Sequence, residues 1–246
     1  MIQLVAIDLD NTLAEYNRPI QPETIKLLQQ LQNIGLKLVF TSGKPTSYLA
    51  GLVRQIGMEH IILVGDNGGI ITFNHEYPPI KSIVMEITNA AKEELRIIRG
   101  SFLKEFGDRI WIQPNEITFS LFEKDIDINE VYISCDRVFK EKQIKYLKYY
   151  KTEGALDILP LNIDKGFALK LIQKELNIAI EDTAVIGDGS NDFPMFLQGK
   201  IRITFPKSAQ QFINLEPKVV PNINAALQFL IDLVKFERNT VLDTLT

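Results

Sequence analysis

Two aspartates close the apolar run near the start of the chain. In VAIDLDNTLAEY, residues 5 to 16, Asp8 and Asp10 are one leucine apart. In a strand, residues two apart point the same way, so both carboxylates face one space. Burying either without a partner costs far more than the apolar neighbours return, and the two repel each other. VIGDGSNDFPM, residues 185 to 195, repeats the pattern: a second apolar run ends at Asp188, and Asp192 follows at the start of a helix. Singly these are weak signals, because D-x-D also occurs in surface turns and calcium loops and Asp192 reads equally as an N-cap. Jointly they form a set of hard oxygen donors suited to Mg²⁺, which takes a few carboxylates and keeps several waters. Such a cation would offset the repulsion and lower the carboxylate pKa values.

Two further residues complete an inventory. Ser42 stands at the tip of LVFTSGKP, where a hydroxyl and exposed backbone amides can hold a phosphate oxygen; its plainer reading is a turn residue. Lys165, in NIDKGFALKLI, opens an apolar-periodic helix, where the helix dipole disfavours positive charge; its plainer reading is a solvated lysine. A carboxylate able to attack, a second able to handle a proton, a metal cage and two groups for phosphoryl oxygens are the parts of nucleophilic phosphoryl transfer.

The elements that must position these residues follow from periodicity. Residues 2 to 7 predict a buried strand, and PETIKLLQQLQNIG a helix with Ile25, Leu28, Leu31 and Ile34 on one face, Pro22 near its start and Gly35 as its stop. A strand over 36 to 42, a helix over about 45 to 56 closed by Gly57, and a strand in HIILVGDNGG continue the alternation. ALKLIQKEL, TAVIGDG, IRITF and INAALQFLIDLVKFE resume it after residue 165. Strands apolar on both faces alternating with helices predict a parallel sheet covered by helices. The middle differs. It predicts a long helix over 86 to 106, strands in RIWIQ, ITFSLF and VYIS, and a helix through FKEKQIKYLKYY whose wet side carries Lys142, Lys145, Lys148 and Lys151. Such closely spaced strands favour antiparallel pairing, and hence an inserted α+β lid. The expected division is a core over 1–81 and 155–246 with a cap over 82–154.

Size and composition bound the class. The 246 residues are 46% apolar and 24% charged, ordinary for a globular soluble protein. A net charge of −4 gives no sign of a nucleic-acid or membrane-surface binder. A single cysteine, Cys135, allows no internal disulfide and suits a reducing compartment. No apolar run reaches the length of a spanning helix, and the start lacks the basic, long-apolar form of a signal peptide. The expected setting is the cytoplasm.

The chain resembles the haloacid dehalogenase (HAD) superfamily, and within it the Cof-type and phosphoglycolate-phosphatase-like hydrolases. DLDNTL at 8 to 13 matches the D-x-D-x-T-L motif, Ser42 the hydroxyl after the second strand, Lys165 in DKGFAL the motif lysine, and GDGSNDFPM the G-D-G-x-N-D motif; NGG at 67 to 69 matches a segment usual in the subgroup. Asn11 stands where many relatives have glycine, and SGK replaces T-G-R. The resemblance implies a Rossmann-like core, an α/β cap inserted between the second and third motifs, and a Mg²⁺-dependent phosphatase acting on a small phosphorylated metabolite. It further implies Asp8 as nucleophile, Asp10 as acid and base, and Ser42, Lys165 and Asn191 as phosphate-binding groups. Asp8, the Asp10 carbonyl and Asp188 would hold the metal, with Asp192 beside it. The alternatives are a phosphosugar mutase and a non-catalytic binding protein. Specificity is expected from cap strands, with Trp111, Gln113, Thr118, Ser120 and Phe122 chosen by alternation. No nucleic-acid or membrane partner is expected, and the assembly is a monomer or homodimer.

Overall fold

The computed structural model describes residues 1–76, 78–152 and 154–243, excluding the side chains of 241–243. The chain runs β1 (Leu4–Asp8), α1 (Pro22–Asn33), β2 (Lys37–Thr41), α2 (Thr46–Gln55), β3 (Ile62–Gly65), β4 (Ile70–Phe73) and β5 (Lys81–Val84). It continues α3 (Asn89–Phe106), β6 (Ile110–Ile112), β7 (Phe119–Glu123), α4 (Ile128–Glu141), β8 (Leu147–Thr152) and β9 (Ala155–Pro160). α5 (Lys165–Leu176), β10 (Thr183–Ile186), α6 (Phe193–Phe196), β11 (Ile201–Thr204), β12 (Lys218–Val219) and α7 (Ile223–Asp243) complete it.

The large sheet has the order β12-β11-β10-β1-β2-β3-β4-β5, parallel from β12 to β3 and antiparallel beyond. β1 is central and buried on both faces. Val5 and Ile7 pack with α1, α2 and α7, while Leu4 and Ala6 pack with α5 and α6. Full burial of each of the larger side chains contributes about 1.5–3 kcal/mol, and this anchors the strand end that presents Asp8. α1 and α2 form where the spacing predicts them. Gly35 (φ 83) and Gly57 (φ 66) follow their ends in the left-handed region that favours glycine. No helix among the described residues is long and apolar enough to cross a membrane.

The second sheet, order β6-β7-β9-β8, is antiparallel throughout and packs on α3 and α4 around a core of its own. Here the structure corrects three expectations. VYIS lies in helix α4, whose buried Val131, Ser134, Cys135 and Val138 recur at helical spacing after the N-cap Asp127. KYLKYY lies in and before strand β8, so no helix carries the four lysines along one wet face; Lys142 caps α4, while Lys148 bonds Asp164 at 2.6 Å. Finally, β9 belongs to the cap sheet and β5 to the large one, so sheet membership does not follow the boundaries at 81/82 and 154/155. The run ALDILP is apolar enough to read as a core strand, which conceals its true partner β7. Residues 244–246 of the expected second core part lie outside the described residues.

Candidate active site

The C-terminal ends of the parallel strands collect the chemistry, as expected for an open α/β sheet. Asp8 ends β1 and is buried. Lys165, 1% exposed at the first position of α5, bonds Asp8 Oδ1 at 2.5 Å and Asp192 Oδ1 at 2.6 Å. The preceding Asp164 caps this helix, its carboxylate accepting from the Phe167 N–H at 2.8 Å. Gly166 lets the helix start approach the GDGSND loop, since a Cβ there would meet the Pro194 carbonyl oxygen at 2.2 Å. Burial alone would push the Lys165 ammonium down, but Asp192 and Asp8 more than reverse this and hold its pKa above the ordinary lysine range.

Asp192 is fully engaged. Its Oδ2 accepts from the backbone N–H groups of Asp188 and Gly189 at 3.0 and 2.9 Å, while Oδ1 takes Lys165. It therefore braces the loop and the lysine. Asp188 accepts from the Thr12 hydroxyl at 2.8 Å. Burial, then Asp192, push the Asp188 carboxyl up to about 6, and burial with Asp192 raises Asp8 as well. Ligand atoms of Asp8, Asp188 and Asp192 lie within 4.8 Å of one another. Buried hard oxygens whose protonation is favoured by crowded negative charge are the donor set and the electrostatic deficit that a small divalent cation satisfies. The Asp10 side chain is turned elsewhere, into an ion pair with Lys44. Lys44 also lies 5.7 and 5.4 Å from the ring centroids of Tyr16 and Tyr48.

Ser42 follows β2, buried, its hydroxyl accepting from the Lys44 N–H at 3.1 Å. Asn191 donates to Asn67 Oδ1 at 3.2 Å, tying GDGSND to the NGG segment. Asp8, Asp10, Ser42, Asp188 and Asn191 share the wall of one cavity of about 730 Å³ with cap residues Gln113, Phe122, Lys151 and Asp157. Lys165 and Asp192 stand behind it, bonded to Asp8 and to the loop.

The five cap residues chosen by alternation separate. Gln113 and Phe122 line the cavity. Ser120 is buried against Asp157, and Thr118 is buried beneath Asn115, which donates to it at 2.8 Å. Trp111 pairs with Phe122 across the strands, ring centroids 5.5 Å apart, but sits on the edge strand and is 51% exposed. Trp111, Thr118 and Ser120 are not among the described lining residues. Sequence reasoning missed Lys44 as the partner of Asp10, Thr12, Asn67 and Asp157. Lys44 had left a signal in the departure from T-G-R, Thr12 in DLDNTL and Asn67 in NGG, while Asp157 had left none. The cap is docked on the core: Gln113 Nε2 and Asn115 Nδ2 donate to the Gly43 carbonyl at 2.7 and 3.0 Å. Asp66 Oδ2 accepts from the Glu116 and Ile117 N–H groups at 2.7 and 2.9 Å.

The sequence matches the family described as sucrose-6F-phosphate phosphohydrolase over residues 2–216. A phosphoglycolate phosphatase of Thermoplasma volcanium is 26% identical over 196 residues, 80% of this chain and 81% of that one. A haloacid dehalogenase-like hydrolase from B. subtilis has the same fold, with a TM-score of 0.75 at 15% identity over 95% of this chain and 99% of its own. A HAD subclass IIB sugar phosphatase gives 0.72 at 18% identity over 94% and 98%. The fold is thus that of the HAD hydrolases, with an α/β core and an inserted cap. The chain belongs to the sucrose-6F-phosphate phosphohydrolase family and is a phosphatase.

Proposed function

We propose that this phosphatase hydrolyses a small phosphomonoester, a sugar phosphate or phosphoglycolate, through a phosphorylated Asp8 and with Mg²⁺ as cofactor. The observation that carries this reading is Asp8 itself, placed on the cavity wall with Oδ1 held by Lys165, so that Oδ2 is the attacking atom. Attack on phosphorus breaks the ester bond, and Asp10 gives a proton to the leaving oxygen. Water then attacks the acyl phosphate, Asp10 takes its proton, and phosphate departs with Asp8 restored. For either proton transfer Asp10 must part from Lys44, and a phosphate dianion entering the cavity competes for that lysine. Ser42, through its hydroxyl, and Lys165, through its charge, favour the equatorial oxygens as charge develops there, with Asn191 holding the loop beside them. Asp8 and Asp188 would hold the metal, with Asp192 bracing them, and the cation would supply Lewis-acid polarisation of the phosphoryl group.

The test is turnover of a generic aryl phosphate with and without chelator, in ¹⁸O-water. Hydrolysis by this route places the label in free phosphate, whereas a mutase returns the phosphoryl group unlabelled. Asp8→Asn should lose activity on the order of 10⁵-fold, as when a nucleophile is removed and only binding remains. Parental turnover in that variant would end the assignment.

A further inference from the structure

The cap brings one carboxylate into the cavity for which the phosphoryl chemistry has no use. Asp157 lies in β9, opposite Ser120 on one side and Tyr150 on the other. It is 6% exposed and lines the cavity. Its role as acceptor is fixed by a chain of donors. The Asn115 amide has two hydrogens, engaged by Thr118 at 2.8 Å and the Gly43 carbonyl at 3.0 Å, and the Ser120 hydroxyl oxygen lies 3.3 Å from it. An ionised carboxylate can only accept, so Ser120 spends its own hydrogen on Asp157 Oδ1. Burial raises the Asp157 pKa, and Ser120 and the neighbouring Asn67 amide, the second donor facing this carboxylate, pull it back down. A carboxylate offers about four acceptor sites, so with Ser120 on Oδ1 and the Asn67 amide beside it the group still has room for a donor from the cavity.

Resting on the phosphatase reading above, we propose that Asp157, oriented by Ser120, is a specificity-determining residue that receives a hydroxyl of the substrate's alcohol portion and selects polyhydroxylated phosphomonoesters over carboxylate-bearing ones such as phosphoglycolate. A hydroxyl can give its hydrogen to Asp157. A carboxylate is acceptor-only when ionised, and at this place it meets like charge at short range in a shielded site. Of the wall lysines, Lys151 is paired with Asp136 at 2.9 Å and Lys44 is shared between Asp10 and the entering phosphate, so neither is left for a second anionic group.

The experiment compares kcat/KM for glycerol phosphate, hexose 6-phosphates and phosphoglycolate in the wild-type enzyme, Asp157→Asn and Ser120→Ala, with an aryl phosphate as reference. The wild-type enzyme should favour the hydroxylated esters. Asp157→Asn, nearly isosteric but neutral, should reduce the ratio of hydroxylated ester to phosphoglycolate by roughly 10- to 100-fold, chiefly through KM, as for loss of a hydrogen bond to a charged group. Ser120→Ala should lower it less. Preference of the wild-type enzyme for phosphoglycolate, or an unchanged ratio in Asp157→Asn, overturns the assignment while aryl phosphate turnover leaves the phosphatase reading standing. Absence of turnover on every ester, the aryl phosphate included, brings down both. Should Asp157→Asn not fold, the wild-type ranking and Ser120→Ala decide alone.

Discussion

Lys165 shows how much a single side chain carries in this site. Its ammonium is buried between Asp8 and Asp192, two carboxylates that without it would share a dry space with Asp188. Removing one partner of a buried ionic cluster leaves charge with no compensation, at a cost of about 3–5 kcal/mol. Lys165→Met is therefore expected to lower Tm by roughly 10 °C for a chain of this size, and calorimetry of the metal-free protein checks it. Added divalent cation should recover part of the loss, because it answers the same negative charge; an unchanged Tm would mean that the cluster is already neutral. The candidate residues were legible in the sequence, since the acids and the hydroxyl sit where an apolar run stops and the lysine where one begins. Asp157 was not legible, because one carboxylate within ALDILP carries no sign of which sheet receives it. Asp10 was legible as an acid, but its engagement by Lys44 required the loop after β2 to be seen folding back across it.

At the scale of elements, the core reads cleanly because its strands are apolar on both faces and its helices keep one stripe over three turns. The cap reads poorly because its apolar runs are short. VYIS and KYLKYY are four and six residues long, and a run of that size fits a helix turn or a strand equally; what separates them is Asp127, whose side chain caps α4 by accepting from the Asn129 N–H at 2.8 Å. The joint between cap and core rests in part on the segment that follows β3. Asp66 follows β3 and satisfies two backbone N–H groups of the segment entering β7. Asp66→Ala would leave those part-buried groups without their acceptor, a penalty of about 1–2 kcal/mol. Its expected mark is faster amide exchange at Glu116 and Ile117 with the exchange of α1 unaltered. Uniform acceleration across both would show instead that core and cap open as one.

The molecule as a whole answers to pH through its acidic cluster. Asp188, pushed up to about 6 from 3.8 by burial and then by Asp192, binds protons more tightly folded than unfolded. Its contribution to stability is fully present below its unfolded value and is lost as the pH rises through about 6. Asp8, also raised, adds in the same sense. The metal acts oppositely, because its ligands must be ionised. Mg²⁺ should accordingly raise Tm at about pH 7.5 and do so progressively less as the pH falls through about 6. A pH-independent shift over that range would exclude Asp188 as a ligand. The order of the large sheet has a consequence for the chain during its synthesis. Asp8 and Lys165 meet across 157 positions of sequence, and β1 is flanked on one side by β10. Until the ribosome has delivered Thr183–Ile186, the strand that will present Asp8 has one unpaired edge and two oily faces, the condition in which strands recruit neighbours. The insertion of the cap lengthens that wait, so the same arrangement that sets the cap against the cavity keeps β1 half-paired, and open to other strands, until both the cap and β10 have been made.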